Sequence, residues 1–141
     1  MRTYQDLSVG HLVREALQPL GDPLLAIHFD QVEHYGGSHG LRDIGLLQSA
    51  AAMPSSTFGG EFLHHEISEM AAAYLFHLVS NHPFVDGNKR VGATAAIVFL
   101  EMNDMEFNAP EDEFEALVLA VAKGEANKDT VAAFFRHKLK G

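Results

Sequence analysis

The stretch that decides the fold contains two apolar segments, EISEMAAAYLFHLVS at residues 66–80 and GNKRVGATAAIVFLEMN at residues 87–103. In the first, apolar residues recur at intervals of three and four, which predicts an amphipathic helix. The centre of the second is apolar on nearly every face, so we expect a buried helix at the middle of the domain. Small residues within it, Gly92 and Ala96 among them, should let neighbouring helices approach closely.

Working outward, cap and stop residues predict shorter helices around this pair. We expect these helices over residues 8–18, 23–35, 43–53, 110–123 and from Asn127 or Asp129 into the terminal RHKLK. Residues 54–65 carry Gly59-Gly60 between apolar flanks and predict a short hairpin or an open flap, and residues 105–108 a brief extended piece. The sequence therefore predicts one all-α domain over residues 1–141, a bundle of six or seven helices.

The composition excludes several classes of function. The chain has 141 residues, 10 Lys+Arg against 19 Asp+Glu, and a formal charge of −9. So acidic a chain is a poor candidate for nucleic-acid binding, which depends on neutralising phosphates. It has no cysteine, which excludes thiolate zinc sites and cysteine nucleophiles. No apolar run predicts a membrane span or a signal peptide, so we expect a soluble, cytoplasmic protein.

The residues that suggest chemistry are HPFVDGNKR at 82–90, between the two apolar helices. Gly87 allows the chain to turn into the second helix, whose first amides have no partner within the helix. Such a helix start attracts anions, and Lys89 and Arg90 add positive charge beside it. Asp86 supplies a carboxylate of the kind that binds Mg²⁺ together with substrate phosphates.

His82 completes this group, because an imidazole exchanges protons near neutral pH and can act as a general base. Phe84 is expected to anchor the loop in the core. A base, a metal ligand, a phosphate-binding helix start and cations within nine residues suggest phosphoryl or nucleotidyl transfer.

The segment resembles the signature of the Fic/Doc family, H-x-F-x-[DE]-[GA]-N-x-R. HYGGSHGLRDIGLLQSA at 34–50 and STFGGE at 56–61 are similar to the "death on curing" toxin branch of that family. The similarity covers roughly residues 23–123, and residues 1–21 match less clearly.

This resemblance implies a role for each matching residue. His82 corresponds to the catalytic base, Asp86 to the Mg²⁺ ligand and Arg90 to an arginine that contacts phosphate. Asn88, with the amides from Gly87 onward, corresponds to the anion hole of the nucleotide site. Phe84 corresponds to the structural anchor of that site.

Two departures from the family pattern indicate a subtype. AMP-transferring members typically have a glycine where this chain has Lys89, and a second arginine where it has Ala93. Doc-type toxins share the lysine. The resemblance then implies that ATP presents its γ-phosphate, with a threonine of elongation factor Tu as acceptor and arrest of translation as the result. AMP or another NMP transfer, and a non-catalytic member that acts by binding a partner, remain the alternatives.

The resemblance also bears on regulation. Thr57 to Glu61 is the nearest match to the family's inhibitory helix, and Gly59-Gly60 interrupts it, so we expect no built-in inhibitor. A separate cognate antitoxin is implied instead.

Other polar residues have plainer interpretations. Arg42-Asp43 is interpreted as a helix cap with a surface ion pair. The alternative is that GGSHGLRD, on the rim of the active site, helps to bind nucleotide or target. His64-His65 does not complete a zinc motif, because position 69 is Glu69. We expect His28, His34 and His77 to be partly buried and hydrogen-bonded, and Tyr74 and Phe76 to belong to the core. Residues 55–65 could be a flap over the target or only a connection.

Overall fold

A computed structural model describes residues 23–140, and within this range the chain is helical. Its α-helices are α1 Pro23–Tyr35, α2 Ile44–Ala52, α3 Ile67–Asn81, α4 Asn88–Met102, α5 Glu111–Ala122 and α6 Lys128–Lys138, with a 3-10 turn at Met53–Ser55. The all-α prediction is confirmed. The helix expected over residues 8–18 lies outside the described residues.

Four short strands form two small antiparallel pairs. β1 Thr57–Phe58 pairs antiparallel with β2 Glu61–Phe62, so the predicted hairpin is present, with Gly59 and Gly60 at φ 61° and 87° in the turn. β3 Glu106–Phe107 falls in the expected extended piece and pairs with β4 Leu139–Lys140. The last helix was expected to continue through the terminal RHKLK, but it ends at Lys138 because the next two residues pair with β3.

Helices α3 and α4 form the centre of the core. α4 packs against α1, α3 and α5, whereas α3 packs against α2, α4, α5 and α6, so two central helices stand where the sequence predicted one. A Cβ on Gly92 would lie 2.8 Å from Val79 Cγ2 and 3.2 Å from the Leu75 carbonyl oxygen. The close approach of the two helices, which the small residues predicted, therefore depends on this glycine.

Most predictions of burial hold. Tyr74 is fully buried, Phe76 packs against the core, and His28 is 4% exposed. The prediction for His34 is wrong: its side chain is 67% exposed and pairs with Asp30, one turn earlier on α1. Within residues 23–140, every helix is too short or too polar to span a bilayer.

The two ends of α3 are built differently. At the N-terminal end, Glu66 and Glu69 form a capping box, in which Glu69 Oε1 accepts the backbone N–H groups of His65 at 2.7 Å and Glu66 at 3.2 Å. At the C-terminal end the chain leaves the helix through His82, which has left-handed backbone angles of φ 51° and ψ 56°. This turn sends the chain into the 82–90 segment.

Candidate active site

The loop between α3 and α4 is held from within by Asn88. Its side-chain Oδ1 accepts the Phe84 N–H at 2.9 Å, and its Nδ2 donates to the Phe84 carbonyl at 3.0 Å. The same Nδ2 lies 3.4 Å from His82 Nδ1. Asn88 is 8% exposed, so its side chain fastens the loop, and its backbone amide is the part that suits a phosphate.

Phe84 anchors the loop in the core, as the sequence predicted. It is 2% exposed, and its ring stacks on the His28 ring with centroids 3.9 Å apart and planes within 5°. His28 Nε2 lies 2.8 Å from the Asp86 carbonyl oxygen, which can only accept, so the imidazole donates there. Burial leaves Phe84 no surface for a nucleotide, so within the nucleotide site it can act only as an anchor.

The segment before α2 runs alongside this loop. The Pro83 carbonyl accepts the N–H groups of Arg42 at 2.7 Å and Asp43 at 3.0 Å, and the Gly40 carbonyl accepts the Val85 N–H at 3.0 Å. The glycine-rich GGSHGLRD segment therefore lies on the rim of the site, and its predicted contact with nucleotide or target stays a prediction.

Arg42 and Asp43 do different things. Asp43 caps α2 by accepting the Leu46 N–H at 3.0 Å, as expected. The expected ion pair between the two does not form. The Arg42 guanidinium instead donates from Nε to the His82 carbonyl at 2.6 Å and from Nη2 to the Asn81 carbonyl at 2.9 Å.

The Asp86 carboxylate is exposed, and backbone amides hold it from two sides. Oδ2 accepts the Ser38 N–H at 3.1 Å, and Oδ1 accepts the Gly87 N–H at 2.9 Å. A Cβ on Gly37 would lie 2.8 Å from Oδ2, so the glycine gives the carboxylate its room. Hard carboxylate oxygens held in place by backbone N–H donors suit Mg²⁺, which binds one or two carboxylates together with phosphates. Across residues 23–140 no three His, Asp or Glu side chains gather as a metal site, so phosphates would have to complete the shell.

A cavity of about 340 Å³ lies over the start of α4, between Tyr35 with its following glycines and residues 86–90. The amides of Asn88, Lys89 and Arg90 belong to the first turn of α4 and have no hydrogen-bond partner among the described residues. The Arg90 guanidinium lies over the Tyr35 ring, 5.1 Å from its centroid. Free amides and two exposed cations on one wall make this cavity suitable for a polyphosphate.

A second cavity, of about 420 Å³, opens on the other side of Lys89 and Arg90, between α4 and α5. Ala93 and Phe114 are part of its lining. Lys89 and Arg90 border both cavities, so one elongated ligand could contact both.

Basic side chains also gather where Lys128, the first residue of α6, meets α3. Lys128 Nζ donates to His77 Nε2 at 3.2 Å, and His64 is 7% exposed. Burial, together with the charges of Lys128 and His64, lowers the pKa of His77 to about 4. Burial, then the charge of Lys128, also lowers the pKa of His64. We therefore expect both imidazoles to be neutral at pH 7.

A family model described as the Fic/DOC family matches residues 21–100. The chain belongs to the Fic/DOC family. "Toxin Doc" of Mycolicibacterium smegmatis (strain ATCC 700084 / mc(2)155) is 39% identical over 101 residues, which cover 70% of this chain and 78% of that protein. "Protein kinase doc" of Escherichia phage P1 is 29% identical over 116 residues, 82% of this chain and 90% of that protein. The resemblance to the Doc branch is thereby confirmed.

Sequence reasoning named the residues of the 82–90 loop but missed its supports. His28 was read only as a buried histidine, and Ser38 and Tyr35 were not singled out. Their contacts with the loop span 48 or more residues of chain, and two of them involve main-chain atoms. The one available signal was the run of glycines at residues 36–40, which indicates a chain that passes close to something.

Proposed function

We propose that this protein is a Doc-type toxin that transfers the γ-phosphate of ATP to a hydroxyl group of a protein. The observation that carries the proposal is the common cavity of Asp86, the α4 amides and the two cations, with His82 on the same short loop. The kinase named among the relatives supports phosphate as the transferred group.

His82 is the proposed general base. Its imidazole accepts the proton of the target hydroxyl as the hydroxyl oxygen bonds to the γ-phosphorus. The bond between that phosphorus and the β–γ bridging oxygen breaks, and ADP leaves with the electron pair. The ring is exposed, so a protein side chain can reach it.

Asp86 is the proposed ligand of Mg²⁺, which when bound neutralises phosphate charge. Gly37 and Ser38 hold the carboxylate in place. The Gly87 N–H is taken by the Asp86 carboxylate, so the backbone amides of Asn88, Lys89 and Arg90 hold phosphate oxygens. The Lys89 ammonium adds its charge, and the Arg90 guanidinium pairs with the phosphate as a fork of donors.

Two side chains favour the γ-phosphate over AMP as the transferred group. Lys89 places a long cation where AMP-transferring relatives have glycine, which obstructs the path of the α- and β-phosphates along the helix start. Ala93 stands where AMP-transferring relatives have a second arginine, and it leaves that part of the second cavity's wall apolar, so that cavity can take the apolar face of a nucleoside. The γ-phosphate would then lie nearest His82.

By the family resemblance, the acceptor is a threonine of elongation factor Tu, a small cognate antitoxin neutralises the protein, and all of them meet in the cytoplasm. The proposed working unit is the single domain of residues 1–141.

The test is incubation of elongation factor Tu with ATP labelled at either the γ- or the α-phosphate. We expect γ-label on the factor, Mg²⁺ dependence, and no transfer by His82→Asn. An asparagine tolerates the left-handed backbone but cannot act as the base. Retention of α-label would indicate nucleotide transfer instead. Growth arrest that survives His82→Asn would indicate action by binding alone.

A further inference from the structure

The exposed, charged side chain of Arg42 forms hydrogen bonds with main-chain oxygens. Its guanidinium donates to the carbonyls of Asn81 and His82, and its own N–H donates to the carbonyl of Pro83. Three consecutive carbonyls at the C-terminal end of α3 thus accept from one residue. Arg42 is absent from the lining of both cavities beside α4, so it has no contact with the phosphate site.

The chemistry suits this task. The last carbonyls of a helix lack donors within the helix and carry the negative end of its dipole. An arginine presents a planar fork of donors and stays charged at any physiological pH, so it can hold two such oxygens at a fixed angle. A lysine, which has a compact ammonium group, cannot reproduce that fork.

The residue being held is the proposed base. His82 has left-handed backbone angles, which are strained for a non-glycine residue. Among the residues that the structure describes, its imidazole has one hydrogen-bonding contact, the 3.4 Å approach of Asn88 Nδ2, at the long end of the hydrogen-bond range. The direction of the imidazole is therefore set mainly by the backbone that carries it.

We propose that Arg42 is a positioning residue for the transfer reaction, fixing the His82 backbone so that the imidazole faces the acceptor hydroxyl. This inference rests on the proposed function. It gives the arginine of the GGSHGLRD segment a role that involves neither nucleotide nor target. A small misplacement of a catalytic group costs up to about a hundredfold in rate.

Variants at the two ends of α3 test this role. Arg42→Gln removes the fork, and Arg42→Lys keeps the charge. The matched control is Arg136→Gln, because Arg136 bonds Glu66 at 3.1 Å at the other end of the same helix. We expect kcat to fall about 10- to 100-fold in Arg42→Gln with KM for ATP within twofold of wild type. Arg42→Lys should recover part of the loss, and Arg136→Gln should keep wild-type kcat.

Chemical rescue separates positioning from general stability. In Arg42→Ala, millimolar guanidinium chloride should restore part of kcat, whereas a merely destabilised protein would lose activity on its addition. An unchanged kcat in Arg42→Gln, a loss that appears as raised KM, or an equal loss in Arg136→Gln would overturn the proposal.

Hydrogen exchange tests the same contact without any reaction. We expect the Val85 amide to exchange faster in Arg42→Gln than in wild type or Arg136→Gln. If wild type transfers no phosphate, the proposed function fails, and this exchange result alone decides whether Arg42 holds the loop. An unchanged exchange rate of the Val85 amide would refute the statement that Arg42 holds the loop.

Discussion

The two ends of helix α3 carry similar side chains but differ in whether those side chains are already satisfied. Each end is bonded by an arginine from elsewhere in the chain, and each has histidines nearby. At the N-terminal end, Glu69 accepts two amides, and Arg136 pairs with Glu66. The C-terminal end leads through the 82–90 loop into the start of α4, where the amides that follow Gly87 have no partner among the described residues and face an open cavity.

The difference teaches that the number of charged groups does not identify a site. A site is identified by hydrogen-bonding groups that face a cavity and have no internal partner, because a ligand gains most binding energy where no such partner competes. We therefore expect substitutions at the C-terminal end of α3 to change the transfer rate, and substitutions at its N-terminal end to change only the stability of the fold.

The largest effect should come from His82→Asn. Loss of the base should lower the transfer rate by about 10²–10⁴-fold. Because His82 is exposed and asparagine accepts its backbone angles, the melting temperature should stay close to that of wild type. Initial rates with γ-labelled ATP and a thermal scan measure the two quantities. A rate within tenfold of wild type would remove His82 from the mechanism.

Next is Asp86→Asn, which keeps an acceptor for the Ser38 N–H but removes the charge. We expect about a hundredfold lower rate at standard Mg²⁺, and partial recovery as Mg²⁺ is raised. Titration of the rate with Mg²⁺ measures this. A Mg²⁺ dependence identical to that of wild type would show that the carboxylate does not hold the metal.

Gly36 and Gly37 are neighbours, and substituting each in turn tests how much room the Asp86 carboxylate needs. Both have positive φ, but a Cβ on Gly37 would lie 2.8 Å from Asp86 Oδ2, whereas a Cβ on Gly36 would have no neighbour within 4 Å. Gly37→Ala should therefore reduce the rate about tenfold more than Gly36→Ala, at similar cost in stability. Equal rates would mean that the loop adjusts freely around Asp86.

For His77, which contacts Lys128 of α6 on the side of α3, the expected effect is on stability alone. His77 has its pKa lowered to about 4 by burial first, so between that value and 6.5 the unfolded chain binds more protons than the folded one. Stability should fall as pH drops through this window, with about 1–2 kcal/mol from His77.

Urea unfolding at several pH values measures it. His77→Gln, which keeps an acceptor for Lys128, should flatten the decline. The control His34→Gln should not flatten it, since the contacts with Asp30 raise the pKa of His34 instead, the backbone carbonyl contributing most. An undiminished decline in His77→Gln would assign the acid sensitivity to other groups.

The smallest effect belongs to Arg136→Gln. Its pair with Glu66 is half exposed on both sides, so we expect a loss of less than about 1 kcal/mol in the free energy of unfolding. Chemical denaturation measures this loss.

Much of the fold could be predicted because its signals are local. The apolar spacing of residues 66–80, the cap at Asp43 and the Gly59-Gly60 turn all lie within the elements they define. The exception is the C-terminal end of α6, where cations favoured continued helix but pairing with a strand some thirty residues earlier prevailed.

The candidate site likewise has one part that local residue types predict and another part that depends on long-range contacts. The 82–90 segment shows its chemistry in its own residues. Arg42 and His28 act on carbonyl oxygens about 40 and 58 residues away, and a carbonyl looks the same whatever residue carries it. No pattern of residue types could reveal those contacts.

The most direct test of the division between the two ends is a map of backbone amide shifts on addition of Mg²⁺ and a non-hydrolysable ATP analogue to the full chain. The account predicts the largest shifts at residues 36–38 and 86–90 and little change at residues 64–69 and 128–132. Largest shifts around His64 and Lys128, with residues 86–90 unmoved, would contradict it.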